Sequence, residues 1–101
     1  MRIEHEKVQN VKQALKDIMR SELDLRAYKV FFFGSRVTGS GHERSDIDVG
    51  IVSKQPVPPA RLAAIQEKVA ALPFLYSIDI VDFSNVSDDF RDVALQKTEP
   101  I

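Results

Sequence analysis

Cysteine is absent from this 101-residue sequence. That excludes disulfides and thiolate metal sites, and it is compatible with a reducing cytosol. Neither sign of charge dominates, because 14 basic residues stand against 15 acidic ones for a net charge of −1. No global basic field therefore implies a nucleic-acid partner, although a local patch leaves nucleic acid open as an acceptor. No apolar run approaches the roughly 20 residues that cross a bilayer, so no membrane association is expected. The opening residues, Met1-Arg2-Ile3-Glu4-His5-Glu6-Lys7, turn charged at once and lack the apolar core of a secretory signal. A cytoplasmic location is the expectation. Internal repeats, low-complexity tracts and long linkers are missing as well. What remains has the length of one small domain over 1–101, able to bury a core but without room for a second lobe.

Hydrophobic spacing divides that length into elements. Val8, Val11, Leu15, Ile18 and Met19 recur at three- and four-residue steps and predict an amphipathic helix over about 4–22. A polar connector from Ser21 to Ala27 follows, with Leu23 and Leu25 as anchors. Tyr28 to Phe33 reads as a strand, and its three consecutive Phe residues suit burial on both faces. Gly34 ends it, and Ser35 is placed to cap a short helical turn between Ser35 and Gly41. Ile47 to Val52 is a second strand and Ser53 to Pro59 a Pro-rich turn. A helix from Pro59 to Leu72 follows, with Leu62, Ile65, Val69 and Leu72 inward and Pro73 as its stop. Tyr76 to Phe83 is a third strand. Ser87 caps a last helix, Asp88 to Gln96, whose Phe90, Val93 and Ala94 are expected to face inward. Lys97 to Ile101 is expected to fray.

The order helix, strand, turn, strand, helix, strand, helix predicts an α/β (α+β) fold, a small mixed sheet covered by helices. The first two strands are joined by a loop and should be antiparallel neighbours. The second and third are joined through a helix and should be parallel, with a right-handed crossover.

That topology brings Gly34-Ser35 and Asp46-Ile47-Asp48 to one edge. Side chains two apart on a strand share a face, so Asp46 and Asp48 point the same way. Magnesium takes oxygen ligands, and a two-metal site clamps the attacking and leaving oxygens of a phosphoryl displacement. A third carboxylate must come from a neighbouring strand. Asp79 and Asp82 are three apart and face opposite sides. Asp79 is preferred because it lies between Ile78 and Ile80, where a carboxylate is costly unless paired or metal-bound. Asp82 is expected at the strand end, in solvent. Gly34 lets backbone approach a phosphate, and Ser35 adds a hydroxyl. Arg36 is a candidate to counter phosphate charge or a solvated loop cation, and Ser45 either orients the neighbouring carboxylate or merely starts the strand. Arg44 and His42 read as solvated loop residues, and Lys54 and Arg61 as a wet face. Tyr28 and Tyr76 read as strand-edge packing. No pocket that would read a base is visible in the sequence.

A Gly-Ser pair, a spacer of this length, Asp-x-Asp and a later strand aspartate together resemble the minimal nucleotidyltransferases of the DNA polymerase beta-like superfamily. Gly34, Ser35, Asp46, Asp48 and Asp79 are the matching residues, and the resemblance covers nearly the whole chain. It implies the nucleotidyltransferase fold and a metal-dependent enzyme. The implied reaction moves a nucleoside monophosphate, AMP from ATP in the first instance, to a hydroxyl acceptor. It implies two Mg2+ ions on Asp46, Asp48 and Asp79, with Asp79 also helping to deprotonate the acceptor. Gly34 and Ser35 would hold the β- and γ-phosphates. Small members of the family are similar to antitoxins paired with a helical HEPN-type protein, some of which adenylylate that partner. A helical partner or a second copy would complete a site that has no acceptor-binding lobe. The competing reading is a non-catalytic antitoxin module that binds its partner with an idle site.

Overall fold

A computed structural model of the chain describes residues 8–34, 47–73 and 77–101. Their elements run α1 (Val8–Glu22), β1 (Lys29–Phe33), β2 (Ile47–Val52), α2 (Pro59–Ala70), β3 (Ile78–Asp82), a 3-10 turn (Phe83–Asn85), α3 (Asp88–Ala94) and β4 (Thr98–Pro100). The strands form one sheet in the order β3-β2-β1-β4. β1 and β2 are antiparallel, whereas β2 and β3 are parallel through α2, as the connection lengths predict.

Strand parity decides which residues build which side of this sheet. Val11, Leu15 and Met19 form the inward stripe of α1 and are fully buried. With Ile65 and Val69 of α2 they pack on Phe32, Ile47, Val49 and Ile51, which is the main core. Phe31 and Phe33 point the opposite way and join Phe83 in a second cluster. Three consecutive Phe residues are thus divided between two faces, as a strand buried on both sides requires. The end of α1 is tied to α2 by Glu22, whose carboxylate accepts from Arg61 Nη1 and from Lys68 Nζ, both at 3.3 Å. The Lys68 hydrogen bond holds the Glu22 carboxyl below its ordinary value, and Arg61 adds to this against the opposing effect of desolvation.

Several expected boundaries shift. The helix expected to reach Leu72 ends at Ala70, and the one expected to reach Gln96 ends at Ala94. β3 spans Ile78–Asp82, since Phe83 already belongs to the 3-10 turn. The first four residues of the first expected helix, and Tyr76 of the third strand, lie outside the described residues.

Two expectations are corrected outright. The last residues do not fray: β4 pairs antiparallel with β1, and the Ile101 N–H donates to the Val30 carbonyl at 3.2 Å. Lys12 Nζ meets Glu99 Oε2 at 3.2 Å and ties this strand to α1. The outer edge of β1 would otherwise present unpaired backbone groups, and the returning chain covers it. Asp82 is not in solvent either. It is 8% exposed and shares the helix-covered face with Ile78 and Ile80. Its carboxylate accepts from the Val57 N–H at 2.8 Å and from the Ser84 N–H at 3.0 Å. A strand end is a solvent position only when nothing crosses it, and here the Pro-rich turn before α2 does.

Candidate active site

The residues of interest gather on the sheet face that α1 and α2 leave uncovered. In the β1–β2 ladder Phe33 stands opposite Asp48, and in the β2–β3 ladder Asp48 stands opposite Asp79. Residues paired across a ladder share a face, so Phe33, Asp48 and Asp79 form one row. Asp48 is half-buried in the middle strand and Asp79 is exposed on the outer one. Asp79 therefore lies on the site face, although not for the burial that the sequence argument invoked.

Adjacent strands lie about 4.8 Å apart. Two carboxylates held at that spacing repel by roughly 3 kcal/mol at an effective dielectric of about 20. A divalent cation between them turns the repulsion into attraction.

Gly34 closes the row on the β1 side. Its φ is +87°, in the left-handed region that favours glycine. A Cβ at this position would collide with Asp48 Oδ2 and lie 3.3 Å from Asp48 Cγ. The bend thus brings bare backbone against the Asp48 carboxylate, leaving no room for a side chain. The donor set is carboxylate oxygen without thiolate, which suits a hard divalent cation such as Mg2+. Asp48 and Asp79 are the two described residues that fit it. Asp46, the remaining proposed ligand, lies outside the described residues, as do Ser35, Arg36, Ser45, His42, Arg44 and the turn expected over Ser35–Gly41. Among the described residues no three acidic or histidine side chains cluster as a metal site.

Two clefts flank this row. One, of about 560 Å³, is lined by Gly34, Asp48, Phe90, Val93 and Lys97. The other, of about 530 Å³, holds Asp48, Asp79 and Gln66. Phe33, Asp48 and Phe90 border both, which puts Asp48 at their junction. Both volumes lie in the range of ligand-binding clefts.

Phe90 and Val93 correct the expectation that α3 turns them inward. They are 44% and 68% exposed: Ala94 packs against the Phe31–Phe33–Phe83 cluster, and Phe90 meets the Phe33 and Phe83 rings on one side only. The space they were expected to fill is taken. A Cβ on Gly50 would stand 2.6 Å from the Phe31 ring and 2.8 Å from that of Phe83, so these rings already occupy the sheet surface. Lys97 and Gln66 were not singled out from the sequence, where they carry no motif. Arg61 serves the Glu22 pair, and Tyr28 packs against the main core.

A mixed sheet that sets strand aspartates beside a glycine bend defines a class of phosphoryl-transfer folds. The family model for polymerase beta nucleotidyltransferases matches residues 13–101, and the chain belongs to that family. Over 66 residues it is 32% identical to the probable protein adenylyltransferase MntA of Haemophilus influenzae, a match that covers 65% of this chain. The chain spans 58% of the length of that relative. Solved structures share the fold. One is a toxin–antitoxin crystal structure with AMP-PNP, at TM-score 0.70 and 18% identity, covering 88% of this chain and 70% of the other. Another is a double Asp-to-Glu mutant of the MntA–HpeT toxin–antitoxin, at TM-score 0.69 and 16% identity, covering 87% and 69%.

Proposed function

We propose that this chain transfers AMP from ATP to a hydroxyl of a partner protein, as the antitoxin half of a toxin–antitoxin pair in the cytosol. The observation that carries this reading is the pairing of Asp48 with Asp79 on the open sheet face, against the Gly34 bend. The family, the adenylyltransferase relative and the fold shared with toxin–antitoxin proteins support it.

In the proposed reaction the acceptor oxygen bonds to the α-phosphorus of ATP. The bond from that phosphorus to the bridging oxygen of the β-phosphate breaks, and pyrophosphate leaves. Asp79, on the outer strand, takes the acceptor proton; a carboxylate so placed acts as general base. Asp48 faces the triphosphate, and Asp46 would act with it. Gly34 offers backbone, and Ser35 and Arg36 offer a hydroxyl and a guanidinium to the β- and γ-phosphates, with Ser45 orienting the neighbouring carboxylate. Two Mg2+ ions held by Asp46, Asp48 and Asp79 would supply charge neutralisation of the triphosphate and of the departing pyrophosphate. The partner, a helical HEPN-type protein in this reading, brings the acceptor to the open sheet face that carries Asp79.

Incubation with α-labelled ATP, Mg2+ and the protein encoded beside it tests this. Label should appear on the partner and vanish with Asp48→Asn and with Asp79→Asn, both variants retaining the wild-type circular dichroism spectrum. Undiminished transfer by Asp48→Asn, or none by the wild type to its partner, overturns the proposal.

A further inference from the structure

We propose that the cleft beside α3 is the nucleoside subsite of the donor nucleotide, with Phe90 and Val93 as the wall for its base and Lys97 as a cation over its phosphates. This rests on the nucleotidyl-transfer reading and adds to it where the base lies and which residues hold it.

The cleft has two chemically different linings: the Gly34 bend with the Asp48 carboxylate, and the apolar side chains of Phe90 and Val93. A nucleoside triphosphate joins the same two characters, a charged tail and a flat aromatic ring. The volume, about 560 Å³, accommodates a small-molecule ligand of that class. The second cleft shares Phe33, Asp48 and Phe90 with the first but carries Asp79 and Gln66 in place of Gly34, Val93 and Lys97, and it lies on the side of Asp48 away from Gly34. Donor on the Gly34 side and acceptor on the Asp79 side is the assignment that uses both.

Phe90 is exposed yet held in place. Its ring centroid is 6.2 Å from that of Phe33 and 5.9 Å from that of Phe83. Its backbone N–H donates to the Ser87 Oγ cap at 3.2 Å. A large apolar side chain left 44% exposed, fixed on one side by two rings and open on the other to a cleft, is pre-organised for a flat partner. Lys97 is placed by the strand that follows it, since Thr98 pairs with Phe33. Lys97 itself lines the cleft that contains Gly34.

Calorimetric titration of the full chain with Mg·ATP and with Mg·tripolyphosphate separates base from phosphate. Stacking of a base on an aromatic side chain accounts for roughly a 5- to 150-fold change in affinity. Phe90→Leu, which keeps apolar bulk and helix, should weaken ATP within that range and leave tripolyphosphate within about two-fold. Phe90→Tyr should retain ATP affinity. Lys97→Ala should weaken both ligands by a similar factor. Unchanged ATP affinity in Phe90→Leu overturns the subsite, as does equal loss for both ligands. Loss of partner capture alone by that variant would reassign the surface to protein docking and equally overturn it. A wild-type chain that binds neither ligand refutes the nucleotidyl-transfer reading itself and the subsite with it. Binding of both ligands with equal affinity refutes the subsite only.

Discussion

Substituting the glycines one at a time should separate chemistry from stability. Gly34→Ala places a methyl group where the backbone is left-handed and where Asp48 Oδ2 already sits. The backbone conformation costs an L-residue about 1–2 kcal/mol. The collision is with the tip of a side chain, which relieves it by turning about its own bonds. The stability loss therefore stays near 1–2 kcal/mol, a fall in Tm of roughly 4–16 °C for a chain of this size. The same relief moves the carboxylate, and an error of about 1 Å in a reacting group costs on the order of 100-fold in rate. Gly50→Ala does the reverse. Its methyl group meets the Phe31 and Phe83 rings at 2.6 and 2.8 Å, and both rings are buried. Overpacking of that kind costs about 1–3 kcal/mol or more, while Asp48 two residues earlier keeps its place in the ladder. Urea melts with Mg·ATP titration and labelled-AMP transfer, measured on both variants, read the two effects. Gly34→Ala should lose on the order of 100-fold in transfer for a modest loss of stability. Gly50→Ala should lose stability while each folded molecule still transfers. If Gly34→Ala transfers within two-fold of wild type, the bend does not set the carboxylate and the geometric argument fails.

Other expectations follow from single contacts. Asp82→Ala strips two backbone N–H groups of a buried, charged acceptor and should cost roughly 2–4 kcal/mol in urea unfolding, with Mg·ATP affinity per folded molecule unchanged because Asp82 faces the helices. Glu22 titrates below its usual value of 4.5 in the folded chain. A depressed folded value means that its ion pairs stabilise the fold above pH 4.5 and are lost as pH falls through the lowered value. Urea midpoints of wild type and Glu22→Gln should therefore differ at pH 6 and converge as the solution is acidified through the lowered value, and parallel curves would count against the assignment. Mg2+ should raise the wild-type Tm, EDTA should reverse this, and Asp48→Asn should show a much smaller rise. Deleting residues 98–101 uncovers the edge of β1 and should lower Tm and promote association seen by light scattering.

Much of this architecture was legible because it depends on short-range periods. Spacing of three and four marked α1 and α2, and loop length set β1 antiparallel and β3 parallel to β2. Parity alone put Asp79 and Asp82 on opposite faces. The failures share one cause: burial depends on what the rest of the chain lays across a residue. Asp82 was placed by its distance along a strand, but the Pro-rich turn passes over that end. Phe90 and Val93 were placed by helical period, but Phe31, Phe33 and Phe83 had filled the surface beneath α3. Gly50 was the available signal, since a glycine within an apolar strand marks close approach by something bulky. Thr98-Glu99-Pro100 carries little strand preference of its own, and its pairing answers the open edge of β1.

The two strands that carry the aspartates serve core and site alternately. Ile47, Val49 and Ile51 of β2 align with Ile78, Ile80 and Asp82 of β3 on the helix side, while Asp48 and Gly50 align with Asp79 and Val81 on the other. A slip of one residue would turn Asp79 toward the helices and Ile78 and Ile80 toward solvent. It would also pull Asp82 from the Val57 and Ser84 N–H groups that its carboxylate satisfies. Burying an aspartate among aliphatic side chains and orphaning two donors costs several kcal/mol, comparable to the whole stability of a domain this small. The register in which Asp79 stands beside Asp48 is thus enforced from the opposite face of the sheet. The core can therefore hold two like charges side by side on the open face, a placement that local repulsion alone would oppose.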